Sequence, residues 1–263
     1  MTLRERGTRG LQFTFNYTLS KSLDLTSDVE RGSPEGGTFS NGFGIDSYIV
    51  DAWFPQHQYS QSDFDVRHQF NANWLYQLPF GRGKALGSNV PRWMNHIIGG
   101  WQLSGIFRLT SGFPFNVVGC FCFPTNQTLI GNAELLPGSS LPSTSTTLNA
   151  VQGFPSPFAD PQDAINHFRP GIPGEVGLRN VLRGDGYFSI DAGLGKTIFL
   201  PWKEQTLQFR WETFNVTNTP KFDSASVNAA MYTPDTFGRY TGTLATCDAR
   251  AGRCMQLSLR YEF

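Results

Sequence analysis

The chain has 263 residues, and its 21 basic and 21 acidic side chains cancel, so no charge imbalance indicates a nucleic-acid partner or a polybasic membrane patch. Charged residues make up 16% of the chain and aromatic residues 14%, a balance that favours strands and loops over helices. No apolar run approaches the roughly 18 residues of a membrane-spanning helix, and residues 1–10 lack the apolar segment of a signal peptide.

The first predicted strand covers residues 11–20, where apolar and polar residues alternate along the whole segment. Successive side chains of a strand point to opposite faces, so this segment has one apolar face and one polar face. Its length matches the roughly 9–11 residues of a tilted membrane strand. From Lys21 to about Asp65 the alternation ends, and the many Gly, Ser and Asp residues predict a long loop.

Two more strands are predicted at residues 67–78 and 100–111. Both carry aromatic and aliphatic residues on one parity and mostly amide, hydroxyl or arginine side chains on the other, with Leu75 and Ile106 as exceptions. A shorter connection that begins with a turn at Pro79 separates them. The longest irregular stretch follows, from about Phe113 to Gly186, and a loop of that length is typical of the extracellular side of an outer-membrane barrel.

The fourth and fifth strands are predicted at residues 188–198 and 206–217, with a tight turn at residues 200–204 between them. A third irregular stretch runs from Asn218 to about Arg253. The last strand covers residues 255–263 and ends on an aromatic residue. This end resembles the assembly signal of bacterial outer-membrane barrels, carried here by Leu257, Leu259, Tyr261 and Phe263, and it implies the barrel-assembly machinery as a partner.

The connections between these strands alternate between long and short, as in up-and-down membrane barrels. We therefore predict an all-β fold, an antiparallel up-and-down transmembrane β-barrel segment of about six strands with long extracellular loops. The C-terminus and the start of the first strand are expected on the periplasmic side. Since bacterial barrels begin at about eight strands, we expect an open sheet with residues 11–20 and 255–263 at its two edges.

Several segments, in this order, resemble a known family, the Oar-like TonB-dependent receptors. They are DVRHQF at 65–70, YQLPFG at 76–81, GGWQLSG at 99–105, LRGDGYF at 182–188, FRWETFN at 209–215 with Asn218, and QLSLR at 256–260. The resemblance covers the chain from about residue 10 to its end. It implies an outer-membrane protein with a barrel of about 22 strands around a plug.

On this resemblance, residues 1–263 are the C-terminal part of a receptor barrel, and the plug and the N-terminal regions are absent from them. The implied function is the barrel wall of a transporter that takes up a bulky nutrient. The implied partners are outer-membrane lipid, the rest of the receptor with its plug and other strands, and, through that rest, TonB. No nucleic acid and no cofactor are expected.

Charged residues on the polar parity of the last three strands are predicted to face the lumen. They are Asp191, Arg210, Glu212, Arg260 and Glu262. Two interpretations remain open. The favoured one is that these groups solvate the lumen and pair with one another, and the other is that they contact a plug or a cargo.

Four cysteines lie in segments assigned to the cell exterior, an oxidising compartment. Cys247 and Cys254 flank a small turn and are the candidate disulfide. Cys120 and Cys122 are too close in sequence to join without strain, so they are free or reach another loop. Zinc binding is the competing interpretation, although the spacing is not of the C-x-x-C type.

Other polar groups give weaker signals. The four histidines are far apart in sequence, and no catalytic motif is present, so the protein is not predicted to be an enzyme. Asp63 and Asp65, with Asp46 and Asp51 upstream, are candidates for a Ca²⁺ site in the first loop, but solvated loop acids are the favoured interpretation.

Two alternatives to uptake follow from the same pattern. One is an outer-membrane structural or surface-interaction barrel without active transport, in which the strands only anchor the loops. The other is a soluble all-β carbohydrate-binding protein, which the high aromatic content would suit.

Overall fold

The computed structural model describes residues 1–7, 10–25, 27, 51, 53–120, 131–151, 153–200, 205–247 and 252–263. Its main feature is a seven-stranded antiparallel sheet in which each strand pairs with its neighbours in sequence order. The strands are β1 (Thr2–Arg6), β2 (Leu11–Leu19), β3 (His68–Gln77), β4 (Trp101–Thr110), β5 (Tyr187–Phe199), β6 (Thr206–Phe214) and β7 (Cys254–Glu262).

The six strands expected from alternation are confirmed as β2 to β7, in an open antiparallel sheet. The largest difference in bounds is at β6, which ends at Phe214 rather than at Thr217. Asn215 adopts a left-handed φ of 54°, and its side-chain oxygen accepts a hydrogen bond from Thr219 N at 3.2 Å. The chain therefore leaves the sheet at Asn215 and turns into the third long connection.

The expectation that residues 11–20 form an edge strand is wrong, because β1 pairs along β2 from Thr2↔Asn16 to Arg6↔Gln12. Leu3 is the one apolar side chain in β1, so alternation gives no signal there, and the strand forms a backbone ladder with β2. The start of the chain consequently lies at the loop end of the sheet, where Met1 O accepts from Tyr17 N at 2.9 Å. The strand predicted at residues 11–20 nevertheless begins at the short-turn end of the sheet, where Gly10 O accepts from Gln77 N at 2.9 Å. The end of β7, where Glu262 pairs with Thr206, lies at the same end of the sheet.

The register of the ladders separates the two faces of the sheet as alternation predicts. Directly paired residues share a face, and Phe13 pairs with Trp74 while Phe209 pairs with Leu259. On the opposite face Asn71 pairs with Arg108. Trp74 also pairs with Gly105, where a Cβ atom would lie only 2.1 Å from the indole, so a glycine there makes room for the ring.

Among the described residues, no protein core covers the apolar face at β7, where Leu257 and Leu259 are 68% and 69% exposed. The buried core lies in the long connections instead, which we call the loop block and define as the described residues within 20–67, 111–186 and 215–253. Its hydrophobic cluster is Phe115, Val117, Ala133, Phe158, Ala164, Ile165, Phe168, Leu182, Val227, Ala229, Phe237 and Tyr240. The stretches predicted to be irregular are therefore packed together around a core of their own.

Short elements pin this block together. Two-stranded pairs join Leu23–Asp24 to Ser60–Gln61, Pro114–Phe115 to Leu182–Arg183, Val118–Cys120 to Gly131–Asn132, Glu134–Leu135 to Phe168–Arg169, Thr144–Val151 to Phe154–Phe158, and Val227–Asn228 to Arg239–Tyr240. The 3-10 turns are Pro55–Gln58, Ser224–Ser226 and Pro234–Thr236.

Two short α-helices complete the described structure. Helix α1 (Arg92–Ile98) lies in the connection between β3 and β4, and α2 (Pro161–Ile165) lies in the loop block. The Asp160 side chain caps α2 by accepting from Gln162 N and Asp163 N. Within the described ranges, no helix combines the length and the apolar character that crossing a membrane requires.

Candidate functional site

A concave trough of about 470 Å³ opens on the polar face of the sheet. Residues of six strands line it, because the sheet curves around it. Arg4 of β1 stands on one side, and Asp191 of β5 and Glu212 of β6 stand on the other. The trough therefore offers cationic and anionic groups at separate positions, with apolar lining residues such as Leu75, Ile106 and Phe214 between them.

The charged residues predicted to face the lumen share this polar face by register. Within β6, Arg210 Nη1 lies 3.9 Å from Glu212 Oε1. Within β7, Arg260 Nη2 lies 3.0 Å from Glu262 Oε1. Such exposed pairs contribute at most about 1 kcal/mol each, so their main effect is to keep this face polar and hydrated.

Asp191 joins the trough to the loop block. Its Oδ1 atom accepts from Asn215 N at 2.9 Å and from Ser189 Oγ at 3.2 Å. The left-handed turn at Asn215, where the third long connection leaves the sheet, is thus bonded to a trough residue. This hydrogen bond therefore joins the polar face to the start of the third long connection.

The first long connection is bonded to the second through buried charges. Arg183 donates from Nη2 to Asp65 Oδ2 and to Gln61 Oε1, and from Nη1 to the main-chain oxygens of Asp65 and Gly112, both at 3.0 Å. The Asp65 side chain is only 1% exposed. A buried carboxylate of this kind depends on its charged partner, so Arg183 is what permits Asp65 to be buried.

Arg179 makes a second set of contacts beside the first. Its Nη1 lies 2.7 Å from Asp24 Oδ1, and its Nη2 lies 3.5 Å from Asp63 Oδ2. Its own side chain is 2% exposed. Burial acts to raise the pKa of Asp24, but the hydrogen bonds from Ser62, Arg179 and Ser27 together outweigh it and lower this pKa.

The favoured interpretation of Asp63 and Asp65 as solvated loop acids is therefore wrong. Both are buried and ion-paired, and their partners lie more than one hundred residues away in sequence. Across the described ranges, no three His, Cys, Asp or Glu side chains are gathered as metal ligands would be. The charges of the arginines take the place that a Ca²⁺ ion would have filled.

The second and third long connections meet at Asp185 and Tyr240. Asp185 N donates to the Tyr240 hydroxyl at 2.7 Å. Burial raises the pKa of Asp185 to about 6, although a hydrogen bond from the Gly186 main chain opposes this. Burial also raises the pKa of Tyr240 and lowers the pKa of Lys221, whose ammonium lies 5.5 Å from the Tyr187 ring centroid.

The residues of the predicted assembly signal lie along the free edge of the sheet. Leu257, Leu259 and Tyr261 share the apolar side of β7, where they pair with Trp211, Phe209 and Leu207 of β6. Phe263 follows the strand and is 97% exposed, with its ring centroid 5.8 Å from that of Tyr261. This edge thus ends in two stacked aromatic rings.

Cys247 and Cys254 are joined by a disulfide, with their Cα atoms 6.7 Å apart. The bond closes the end of the third long connection at the point where β7 begins. Cys122 and the side chain of Cys120 lie outside the described residues, so their predicted states stay predictions.

Some residues of the site gave no usable signal in the sequence. Arg4 lies on a strand that was not predicted, and Arg179 and Arg183 lie in a stretch predicted to be irregular. The dipeptides Arg-Asn at 179–180 and Arg-Gly at 183–184 have no spacing that indicates a buried ion pair. Their importance depends on contacts across the fold, which periodicity does not report.

Comparison with known proteins places the chain in a family. The family described as "Outer membrane beta barrel domain" matches residues 1–256. No curated protein and no solved structure matches the chain. The chain therefore belongs to the outer membrane beta barrel domain family, and its place is the outer membrane of a bacterium.

Proposed function

We propose that this chain is the C-terminal part of the barrel wall of a TonB-dependent receptor that takes up a bulky nutrient. The observation that carries the proposal is the polar trough on the concave face of an open, curved sheet. A trough formed by six strands is wide enough to continue into the lumen of a much larger barrel. The ordered motifs that resemble Oar-like receptors support the same conclusion.

The open edges of the sheet support the part of the proposal that concerns the rest of the receptor. In the described structure β1 and β7 each have a single strand neighbour. An unpaired backbone edge costs several kcal/mol per group in hydrocarbon, so further strands of the same receptor should pair with β1 and β7. The plug would then lie against the polar face, and TonB would act through the plug.

The other partners follow from the two ends of the sheet. The apolar face contacts outer-membrane lipid. Phe263 and the alternating residues of β7 serve as the signal for the barrel-assembly machinery, and the loop block faces the exterior, where the disulfide between Cys247 and Cys254 is stable.

A photoreactive amino acid in β7 of the intact protein tests the proposal. Ser258 lies on the polar face beside Leu259 on the apolar face, so the two positions form a matched pair. We expect that illumination of cells cross-links position 258 to the plug of the same receptor, whereas position 259 gives no plug adduct. A folded surface protein without any plug adduct from position 258 would refute the receptor function.

The second candidate function is a surface-interaction barrel without transport. The observation that favours it is the hydrophobic core of the loop block, where Phe158 stacks on Phe237 with ring centroids 5.5 Å apart. Loops that only connect strands around the mouth of a channel would not need such a core. Absence of a plug adduct together with an intact loop block would favour this function. The soluble carbohydrate-binding alternative is wrong, since the chain belongs to an outer-membrane family.

A further inference from the structure

We propose that the connection between β3 and β4 is a membrane anchor that binds the anionic phospholipid headgroups of the periplasmic leaflet. We call residues 78–100 of this connection the turn anchor. The assignment to the periplasmic leaflet rests on the proposed function, in which the loop block faces the exterior and the short turns face the periplasm. The lipid contact rests on the geometry of the turn anchor itself.

The charge of the turn anchor differs from that of the whole chain. Arg82, Lys84 and Arg92 lie in it, and no Asp or Glu does, although the chain as a whole carries equal numbers of acidic and basic residues. All three cations are exposed. Cations close to a membrane surface attract anionic lipids. Three cations without a neighbouring acid, at one end of the sheet, therefore favour contact with a surface of anionic lipids.

Large apolar side chains are exposed on the same segment. Trp93 and Ile97 are 63% and 62% exposed, and their spacing of four residues places them on one face of α1. Phe80 and Leu86, in the turn before the helix, are also exposed. Apolar and aromatic groups next to cations are the signature of a segment that lies in the membrane interface.

The position of α1 places that face beside the lipid-facing side of the sheet. Lys196 and Trp101 pair across β5 and β4, and both side chains lie on the apolar face. Lys196 Nζ donates to Ile97 O at 3.0 Å and to Gly99 O, and Trp101 Nε1 donates to Ile97 O at 2.9 Å. The ammonium also lies 5.1 Å from the Trp101 ring centroid. The carbonyl end of α1 is therefore fixed to the outer side of the sheet and not below the trough.

These contacts explain why a lysine lies among the apolar side chains of this face of the sheet. Lys196 pairs with Phe209 on β6 as well as with Trp101, and a charge there would be costly in lipid. The residue is 7% exposed because α1 and Trp101 cover it. With its inner side held by Lys196, α1 presents Trp93 and Ile97 outward, at the depth where phospholipid headgroups meet acyl chains.

Fluorescence quenching in vesicles tests the lipid contact. The intact protein is reconstituted in phosphatidylethanolamine vesicles with or without phosphatidylglycerol, with bromine on the upper acyl carbons, and the signal of Trp93 is taken as the difference from Trp93→Phe. Trp53 is the matched control, because it is 80% exposed and lies in the loop block. We expect bromolipid to quench Trp93 more than about twofold more strongly than Trp53, and iodide to quench Trp53 preferentially.

The charge is tested by a variant with Arg82→Gln, Lys84→Gln and Arg92→Gln, which keeps Trp93 in place. We expect phosphatidylglycerol to increase Trp93 quenching in the unaltered protein and to have little effect in this variant. Equal iodide quenching of Trp93 and Trp53 would overturn the proposal, as would quenching of Trp93 that is independent of phosphatidylglycerol.

The leaflet is tested separately in cells with Ser88→Cys, against the parent protein as control. Protection of position 88 from an impermeant maleimide in intact cells, and labelling after osmotic shock, supports the periplasmic leaflet. Labelling in intact cells overturns it. Because neither test involves a plug or a cargo, a failure of the plug cross-link at position 258 is distinguishable from a failure here.

Discussion

Asp185 is a carboxyl group whose ionisation is opposed by its surroundings in the loop block. Burial raises its pKa from 3.8 to about 6. The folded segment thus holds the proton more tightly than the opened segment does, so its stability falls as pH rises from about 4 to about 6 and changes little above that. The same residue donates its main-chain N–H to Tyr240, which ties this pH dependence to a contact between two long connections.

We therefore predict that the segment around Asp185 opens less often at pH 5 than at pH 7.5. Amide hydrogen exchange, corrected for the intrinsic effect of pH on the exchange rate, measures the opening. Asp185→Asn should remove the difference and leave exchange at pH 7.5 at least as slow as that of the unaltered protein at pH 5. Asp235→Asn, at an exposed acid of the same loop block, is the control. An unchanged pH dependence in Asp185→Asn would assign the effect to another group.

Alternation along a strand explains for which of these side chains the sequence predicts the face of the sheet. The position of Asp191, Arg210 and Arg260 on one face follows from alternation, because a strand fixes the direction of every second side chain. The burial that raises the pKa of Asp185 has no such local signal, because the residue packs in the loop block, where its main chain is hydrogen-bonded to Tyr240 and Ser224 of the third connection. A single sequence does not contain that information in any local pattern.

The ion pair between the buried Asp65 carboxylate and Arg183 joins the first and second long connections of the loop block. We predict that Arg183→Ala lowers the free energy of opening of the first long connection by about 3–5 kcal/mol, because it leaves a buried carboxylate unpaired. Amide exchange at the segment that contains Asp65 measures it.

The pair of Arg169 and Glu175 supplies the matched control for that change. Both side chains are 29% exposed, at a distance of 2.6 Å, so the carboxylate that Arg169→Ala leaves behind stays hydrated, and this variant should lose less stability than Arg183→Ala. Adding Asp65→Ala to Arg183→Ala should restore part of the loss, since no unpaired charge is then buried. Equal losses in the two single arginine variants would show that Arg183 acts by filling space.

Elements with long apolar alternation were predictable, and elements without it were not. The bounds of β2 and of β4 follow from alternation within one residue or so. By contrast, β1 has little alternation and forms through its neighbour. The loop block depends on pairs such as Asp65 and Arg183, which are separated by 118 residues, so local sequence patterns predict only irregular chain there.

At the scale of the whole molecule, the seven-stranded sheet is a membrane wall that its own strands do not close. Each inner strand is bonded on both sides, whereas β1 and β7 are bonded on one side in the described structure. Backbone groups at a free edge are the first to exchange with solvent or to pair with another strand. The order in which the strands are protected from amide hydrogen exchange thus shows whether β1 and β7 have gained a further strand neighbour.

We predict that amides of β1 and β7 exchange at least about tenfold faster than those of β4 when the 263-residue chain alone is held in detergent micelles. In the intact receptor proposed above, both edge strands acquire a neighbour, and their exchange should slow to that of β4. Slow exchange at β1 and β7 in the isolated chain would mean that the edges pair with each other or with a second copy. Native mass spectrometry then separates those two cases, because only the second doubles the mass, and either result would make this sheet a complete wall rather than part of one.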